Sequence, residues 1–141
     1  MDPNPYLVAS SLSFLFPSLL FYTLRLPFLS SIYGLVACTS SIYHATKHPA
    51  ILWVDYPLNH ISHIATVSYI IQGGWISMPA YVVWLIYTVL TYYVGYRMSS
   101  MVWDPVHDRA TPWHALLHIS TVATTMYTVF VTWVVLQARG F

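Results

Sequence analysis

Residues 112–137 read PWHALLHISTVATTMYTVFVTWVVLQ, and this stretch decides the fold. It contains no Asp, Glu, Lys or Arg. At a rise of about 1.5 Å per residue, a helix of this length crosses the roughly 30 Å hydrocarbon core of a bilayer. Its opening turns carry His114 and His118, and ionisable groups inside apolar helices are costly and usually functional. We therefore predict a transmembrane helix that carries part of a functional site.

The composition of the whole chain favours a membrane protein. Of its 141 residues, 57% are hydrophobic and 6% are charged, whereas soluble domains have about 25% charged residues. So few charges cannot cover a water-facing surface, and a net charge of +1 gives no reason to expect a nucleic-acid partner. We predict a multi-pass, all-α integral membrane protein with one domain over residues 1–141. In a eukaryote we expect it in the endomembrane system, the endoplasmic reticulum or Golgi.

Proline marks the start of five long apolar runs, which we predict as a bundle of about five transmembrane helices. Each run has a proline in its first turn, where the missing N–H costs nothing. The predicted spans are 5–24, 27–46, 55–73, 79–98 and 112–137, with their prolines at Pro5, Pro27, Pro57, Pro79 and Pro112. Asp55, Ser77 and Thr111 are predicted helix caps, and Pro17 is expected to kink the first helix. Because the first run lacks a preceding basic region, we interpret it as a retained span and not a secretory signal.

Five alternating spans place the polar residues at one face of the membrane. The second helix ends where the third and the fifth begin, on the side that we call the near face. His44 ends the second helix, Asp55 opens the third, and His114 and His118 open the fifth. The sequence therefore predicts that these four side chains lie at a similar depth.

The spacing of these residues is typical of a metal site. His114 and His118 are four residues apart, so both project from one helix face and suit one metal ion. Ser40 and His44 have the same spacing, which places the hydroxyl one turn below the imidazole. Three imidazoles with a carboxylate and a hydroxyl are the components of a catalytic zinc centre with an open coordination position. Asp55 is placed to accept a proton, orient a water molecule or hold a histidine N–H.

The ordered set Ser40-x-x-x-His44, Asp55 and His114-x-x-x-His118 resembles the signature of the CREST superfamily of membrane hydrolases. This superfamily includes alkaline ceramidases, progestin and adiponectin receptors, and enzymes that remodel GPI-anchor lipids. The phrase SSIYHATKHP, followed by VDY, is also similar to the ceramidase and GPI-remodelling branches. The pattern covers three of the five predicted helices, and five spans are two fewer than the usual seven.

The resemblance implies a function and a role for each residue. His44, His114 and His118 would bind Zn²⁺, while Ser40 and Asp55 would position or activate a water molecule for catalysis. The implied substrate is an amide or ester of a long-chain membrane lipid, with ceramide-type amides first. Nothing in these residues separates amide from ester.

Other interpretations of the same residues stay open. His114 and His118 can be a polar pair at the interface, and His44 and Asp55 a simple ion pair between helix ends. Ser40 can serve helix packing, as small hydroxyl residues commonly do. The remaining residues of interest are expected to support the site from the third helix (His60, His63) or to lie in water-facing loops (His48, Arg97, Asp104, His107, Asp108, Arg109).

Two rival classes of function also remain at the level of the sequence. The chain can be a non-catalytic subunit of a larger membrane assembly, or a homo-oligomer, in which a metal clamps three helices. It can also be a haem-binding electron carrier, because paired transmembrane histidines can ligate haem. The clustering of the histidines with an aspartate at one membrane edge argues against haem.

Overall fold

The computed structural model describes residues 4–76, 78–101 and 107–140. These residues form helices and no strand, which confirms the predicted all-α class. In chain order the elements are α1 (Pro5–Leu12), α2 (Leu15–Thr23), α3 (Pro27–Thr46), α4 (Pro49–Gly73), α5 (Met78–Val89), a π-helical turn (Leu90–Val94), α6 (Gly95–Met98) and α7 (His107–Ala138).

The first predicted span is broken into α1 and α2, where the sequence predicted one kinked helix. Pro17 has no N–H to donate to the carbonyl of Ser13, and its ring crowds that carbonyl. The chain resolves this by ending α1 early, with Phe14 N–H donating to the Ser11 carbonyl at 3.1 Å. Pro17 then falls in the first turn of α2, where a proline is tolerated.

Helix α3 covers 27–46 as predicted, but α4 and α7 begin earlier than predicted. Helix α4 begins at Pro49, so Pro57 lies inside it and Asp55 is an interior residue, not a cap. The cap of α4 is His48, whose Nδ1 accepts the Ala50 N–H at 3.2 Å. The stretch 49–54 has its own first-turn proline followed by apolar residues, so the helix extends through it.

Helix α7 likewise begins at His107 and holds Pro112 and Thr111 inside it, so the predicted start at Pro112 and the predicted Thr111 cap were wrong. The part of the predicted loop 99–111 from residue 107 onwards is therefore helical. The predicted cap Ser77 lies outside the described residues. The fourth predicted span is split by the π-helical turn into α5 and the short α6.

Helices α3, α4 and α7 meet around Tyr33. This side chain is fully buried, and its hydroxyl lies 2.9 Å from the Thr66 hydroxyl and 3.3 Å from that of Thr125. A buried tyrosine hydroxyl is stable only with such partners. The network therefore fixes the relative positions of the three helices that carry the predicted site.

Among the described residues, two helical stretches are long and apolar enough to cross a membrane, whereas the sequence predicted about five. They are Pro5–Thr23 and Ala110–Ala138. Serine, threonine and histidine lower the mean hydropathy of α3 and α4, and α5 has only 12 residues before the π-helical turn. Two candidate spans by themselves are weak evidence for a membrane protein, and in each of them 33% of the apolar window is buried.

The described helices bury an apolar core together with many hydroxyl residues, and they also expose large apolar side chains. Large apolar side chains are exposed on every helix, for example Leu19, Val83 and Ile119. The interior includes many hydroxyl residues: Ser10, Ser11, Ser40, Ser62, Thr66, Thr91, Thr121, Thr125, Thr128 and Thr132. Helices that pack in lipid commonly use small hydroxyl residues at their contacts.

Candidate metal centre

The structure brings together the three histidines that the sequence selected. His44 comes from the last turn of α3, and His114 and His118 come from the first half of α7. One ligand nitrogen from each ring lies within 4.8 Å of the others. The ring centroids of His114 and His118 are 4.8 Å apart. The centroid of His44 lies 5.0 Å from that of His114 and 5.5 Å from that of His118.

The donor set of this trio fits a metal ion. A tetrahedral zinc ion, about 2.0–2.1 Å from each nitrogen, holds its ligand nitrogens about 3.4 Å apart. The nitrogens of the trio already lie within 4.8 Å of one another. Rotations of the side chains would bring them to the separation that zinc requires. Imidazole nitrogen binds zinc, copper, iron and nickel, so the trio lies close enough to hold a metal ion, and its chemistry does not select one metal.

Helix α1 orients His118, a contribution that the sequence analysis missed. The Ser10 hydroxyl lies 3.0 Å from Nδ1 of His118, and the Ser11 hydroxyl lies 3.4 Å from it. When Ser10 donates its proton to the Leu7 carbonyl, 3.1 Å away, its oxygen is free to accept from Nδ1–H of His118. The proton on Nδ1 leaves the lone pair of Nε2 available for a metal.

Lys47 contacts His44 directly after α3 ends. Its Nζ lies 3.2 Å from Nδ1 of His44. An ammonium can only donate, so in this contact the ring proton of His44 is on Nε2. Metal binding through Nε2 therefore requires Lys47 to move away or to become a neutral amine. Partial burial lowers the pKa of Lys47, which favours the neutral form.

Asn4 ties the helix ends around the trio together, and it too was missed from the sequence. Its side-chain oxygen caps α1 by accepting the Tyr6 and Leu7 N–H groups. Its side-chain amide donates to the Thr111 hydroxyl at 2.7 Å, and its backbone N–H donates to the His44 carbonyl at 3.3 Å. Asn4 thus joins the start of α1, the end of α3 and the start of α7. These helix ends lie at the near face predicted from the sequence.

Asp55 and Ser40 line the same cavity as the trio. The cavity has a volume of about 410 Å³. Asp55 is buried, and its Oδ1 accepts the Thr39 hydroxyl at 2.7 Å. Ser40 is buried at 3.2 Å from the Ser11 hydroxyl. Asp55 shares this cavity with the trio but is not one of the three grouped histidine ligands.

His60 and His63 line the same cavity as the trio but are not grouped with it as ligands. His60 is exposed, and its Nδ1 lies 2.8 Å from the Tyr56 carbonyl. His63 is half-buried and contacts Trp84, with ring centroids 4.9 Å apart. His48 is exposed at the junction between α3 and α4, as predicted. Arg97 is also exposed, on α6. Asp104 and the side chains of His107, Asp108 and Arg109 lie outside the described part of the chain.

No protein-family model matches this chain, and neither the curated proteins nor the solved structures include a match to it. The resemblance to the CREST superfamily therefore depends on the five residues that carry its pattern.

Proposed function

We propose that this protein is a multi-pass membrane hydrolase that uses zinc to cleave an amide or ester of a long-chain lipid. The observation that carries the proposal is the convergence of His44, His114 and His118 on one cavity that Asp55 and Ser40 also line. Three imidazoles with a neighbouring carboxylate and hydroxyl are the side chains that hydrolytic zinc sites use.

The apolar exterior supports a membrane location for the reaction. Exposed large apolar side chains occur on α3, α4 and α5 as well as on the two candidate spans. Helix α3 has 20 residues without Asp, Glu, Lys or Arg, which matches the thickness of the hydrocarbon core. We infer that these helices also cross the bilayer and that the substrate enters the cavity from the lipid.

Each polar residue has a step in this reaction. When bound, zinc supplies Lewis acidity and lowers the pKa of water to about 7. Asp55, held by Thr39, takes the proton of the attacking water and passes it to the leaving group. The Ser40 hydroxyl, which hydrogen-bonds to Asp55, turns its proton to the substrate carbonyl oxygen as negative charge develops on that oxygen. The CREST-like pattern favours amides of the ceramide type as the first substrates to test.

The test combines metal analysis with a hydrolysis panel on the purified protein in detergent micelles. We expect about one zinc per chain, with hydrolysis of a long-chain amide or ester that stops on chelation. His118→Ala should lose zinc and hydrolysis together. His60→Ala, which removes an imidazole outside the trio, should retain zinc. Full zinc occupancy in His118→Ala would contradict the ligand assignment.

Asp55→Asn separates catalysis from metal binding. Because Asp55 is not part of the ligand trio, this variant should keep its zinc and lose hydrolysis by about 100-fold or more, the usual contribution of a general base. A wild-type protein that binds zinc but cleaves none of the lipids would instead support a structural metal in a non-catalytic subunit.

A further inference from the structure

The cavity has a second polar region, distinct from the histidine trio. His63, Trp84 and Thr88 line it, and each has a buried polar atom without a hydrogen-bond partner among the described residues: His63 Nδ1, Trp84 Nε1 and Thr88 Oγ1. Trp84 is only 6% exposed. We call these three residues the deep subsite.

Such atoms are costly when they stay unpaired. A buried donor without a partner loses the hydrogen bond that water would supply, and native proteins rarely leave several such atoms together. The indole N–H of Trp84 can only donate, and the Thr88 hydroxyl can also donate. The deep subsite therefore calls for a ligand atom that accepts hydrogen bonds.

The position of the subsite gives the geometry of this ligand. His63 lies eight residues after Asp55 on α4, which corresponds to about 12 Å along a helix axis. Apolar residues, including Phe14 and Leu117, also line the cavity. A lipid chain that reaches both ends would place one polar group at the trio and another at the deep subsite.

The charges of the cavity indicate the chemistry of that second group. Asp55 is the one charged side chain among the described residues that line the cavity, apart from its histidines. A phosphate or carboxylate at the deep subsite would thus meet neither Lys nor Arg. A hydroxyl accepts from Trp84 and Thr88 without a charge to be neutralised.

From these observations we propose that the deep subsite binds a hydroxyl carried in mid-chain by the lipid whose amide or ester group lies at the histidine trio. This inference rests on the proposed function for the identity of the reacting end. The binding preference itself needs no hydrolysis, so the two can fail separately.

The test measures binding to chelator-treated, full-length protein in detergent micelles by competition with a tritiated lipid. The probes are the N-ethyl amides of stearic acid, 2-hydroxystearic acid and 10-hydroxystearic acid. The wild-type protein should bind the 10-hydroxy amide about three- to tenfold more tightly than the stearic amide, as one added hydrogen bond provides. The 2-hydroxy amide should show no such gain. Equal binding of all three amides would overturn the proposal and indicate that water hydrogen-bonds to the three unpaired atoms.

Variants show which residues cause the preference for the 10-hydroxy amide. Trp84→Phe and Thr88→Val each remove a donor while they keep most of the side-chain volume, and each should reduce the preference to less than about twofold. The control Trp75→Phe changes an indole that is 88% exposed and outside the cavity, and should keep it. If Trp84→Phe does not fold, Thr88→Val still tests the subsite.

Three further results would each decide something different. A preference that persists in both folded variants would overturn the assignment to Trp84 and Thr88. Tighter binding of decanedioic acid mono-N-ethylamide, which has a carboxylate at carbon 10, than of N-ethyl decanamide would overturn the preference for an uncharged group. A preference for the 10-hydroxy amide in a zinc-loaded protein that cleaves none of the amides or their ethyl esters would support the subsite and contradict only the proposed hydrolysis.

Discussion

At the scale of single residues, the state of the metal centre depends on what holds the second nitrogen of each histidine. Ser10 holds Nδ1 of His118 in the protonated form that suits a metal at Nε2. A charged Lys47 donates to Nδ1 of His44, which leaves the ring proton of His44 on Nε2. The two contacts therefore have opposite effects on the affinity of the trio for a cation.

Ser10→Ala tests the contribution of α1. Groups that orient ligating histidines typically account for about 10–100-fold in metal affinity. Because Ser11 remains 3.4 Å from the same nitrogen, we expect zinc affinity to fall by about tenfold in the single variant and further in Ser10→Ala/Ser11→Ala. A titration against a chromophoric chelator in micelles measures this.

Ser68→Ala is the matched control for this measurement. The Ser68 hydroxyl is exposed and donates to the Ile64 carbonyl within α4. Its removal should leave zinc affinity unchanged. An equal affinity in Ser10→Ala and in the wild type would contradict the role of α1 in orienting His118.

At the scale of elements, the close approach of α4 and α7 holds the far end of the bundle. A Cβ on Gly73 would lie 2.7 Å from Thr132 Cγ2 and 3.2 Å from its Cα. No side chain fits there without separating the two helices. The contact at Gly73 and the network around Tyr33 together keep α7 in the register that presents His114 and His118 to His44.

Gly73→Ala should destabilise the bundle despite the higher helix propensity of alanine. The added methyl group meets the backbone of α7, so we expect a loss of about 1–3 kcal/mol in the free energy of unfolding. Unfolding by SDS in mixed micelles, followed by circular dichroism, measures it.

Gly34→Ala is the control, because a Cβ there meets only the Ser18 hydroxyl, at 3.3 Å. Its effect should stay within about 1 kcal/mol, since helix propensity then offsets the contact. Equal stability of Gly73→Ala and the wild type would show that α7 can move away from α4 without cost.

At the scale of the whole molecule, hydroxyl residues are buried beside an apolar core, and large apolar residues are also exposed on the exterior. This distribution is stable where lipid covers the exterior, because the exposed apolar surface would be costly in water. In a bilayer, the cavity would also keep the histidines of the trio away from lipid, where ionisable groups are costly.

The single cysteine gives a direct test of multi-pass insertion. Cys38 lies within α3 and is exposed on the surface of the bundle. If α3 crosses the bilayer, lipid covers Cys38, so a membrane-impermeant maleimide should not label it in permeabilised vesicles until SDS is added. In a Cys38→Ala background, His48→Cys at the exposed α3–α4 junction should react readily. Equal labelling of the two positions in vesicles would contradict a transmembrane α3.

The sequence determined the helical class, the bounds of α3 and which three histidines lie together. It could do so because long uncharged runs allow few structures other than helices, and because i, i+4 spacing places both histidines of α7 on one face. It misjudged the starts of α4 and α7, since a proline inside a helix is tolerated when tertiary packing supports the helix on both sides.

Only the tertiary structure decided how the site is completed. Ser10, Ser11 and Asn4 are distant in sequence from the histidines, and no local pattern indicates that α1 packs against both α3 and α7. Likewise, His63, Trp84 and Thr88 share a cavity only because α4 and α5 meet beside the trio. Local periodicity follows from the geometry of one helix, whereas these contacts depend on how several helices pack at once.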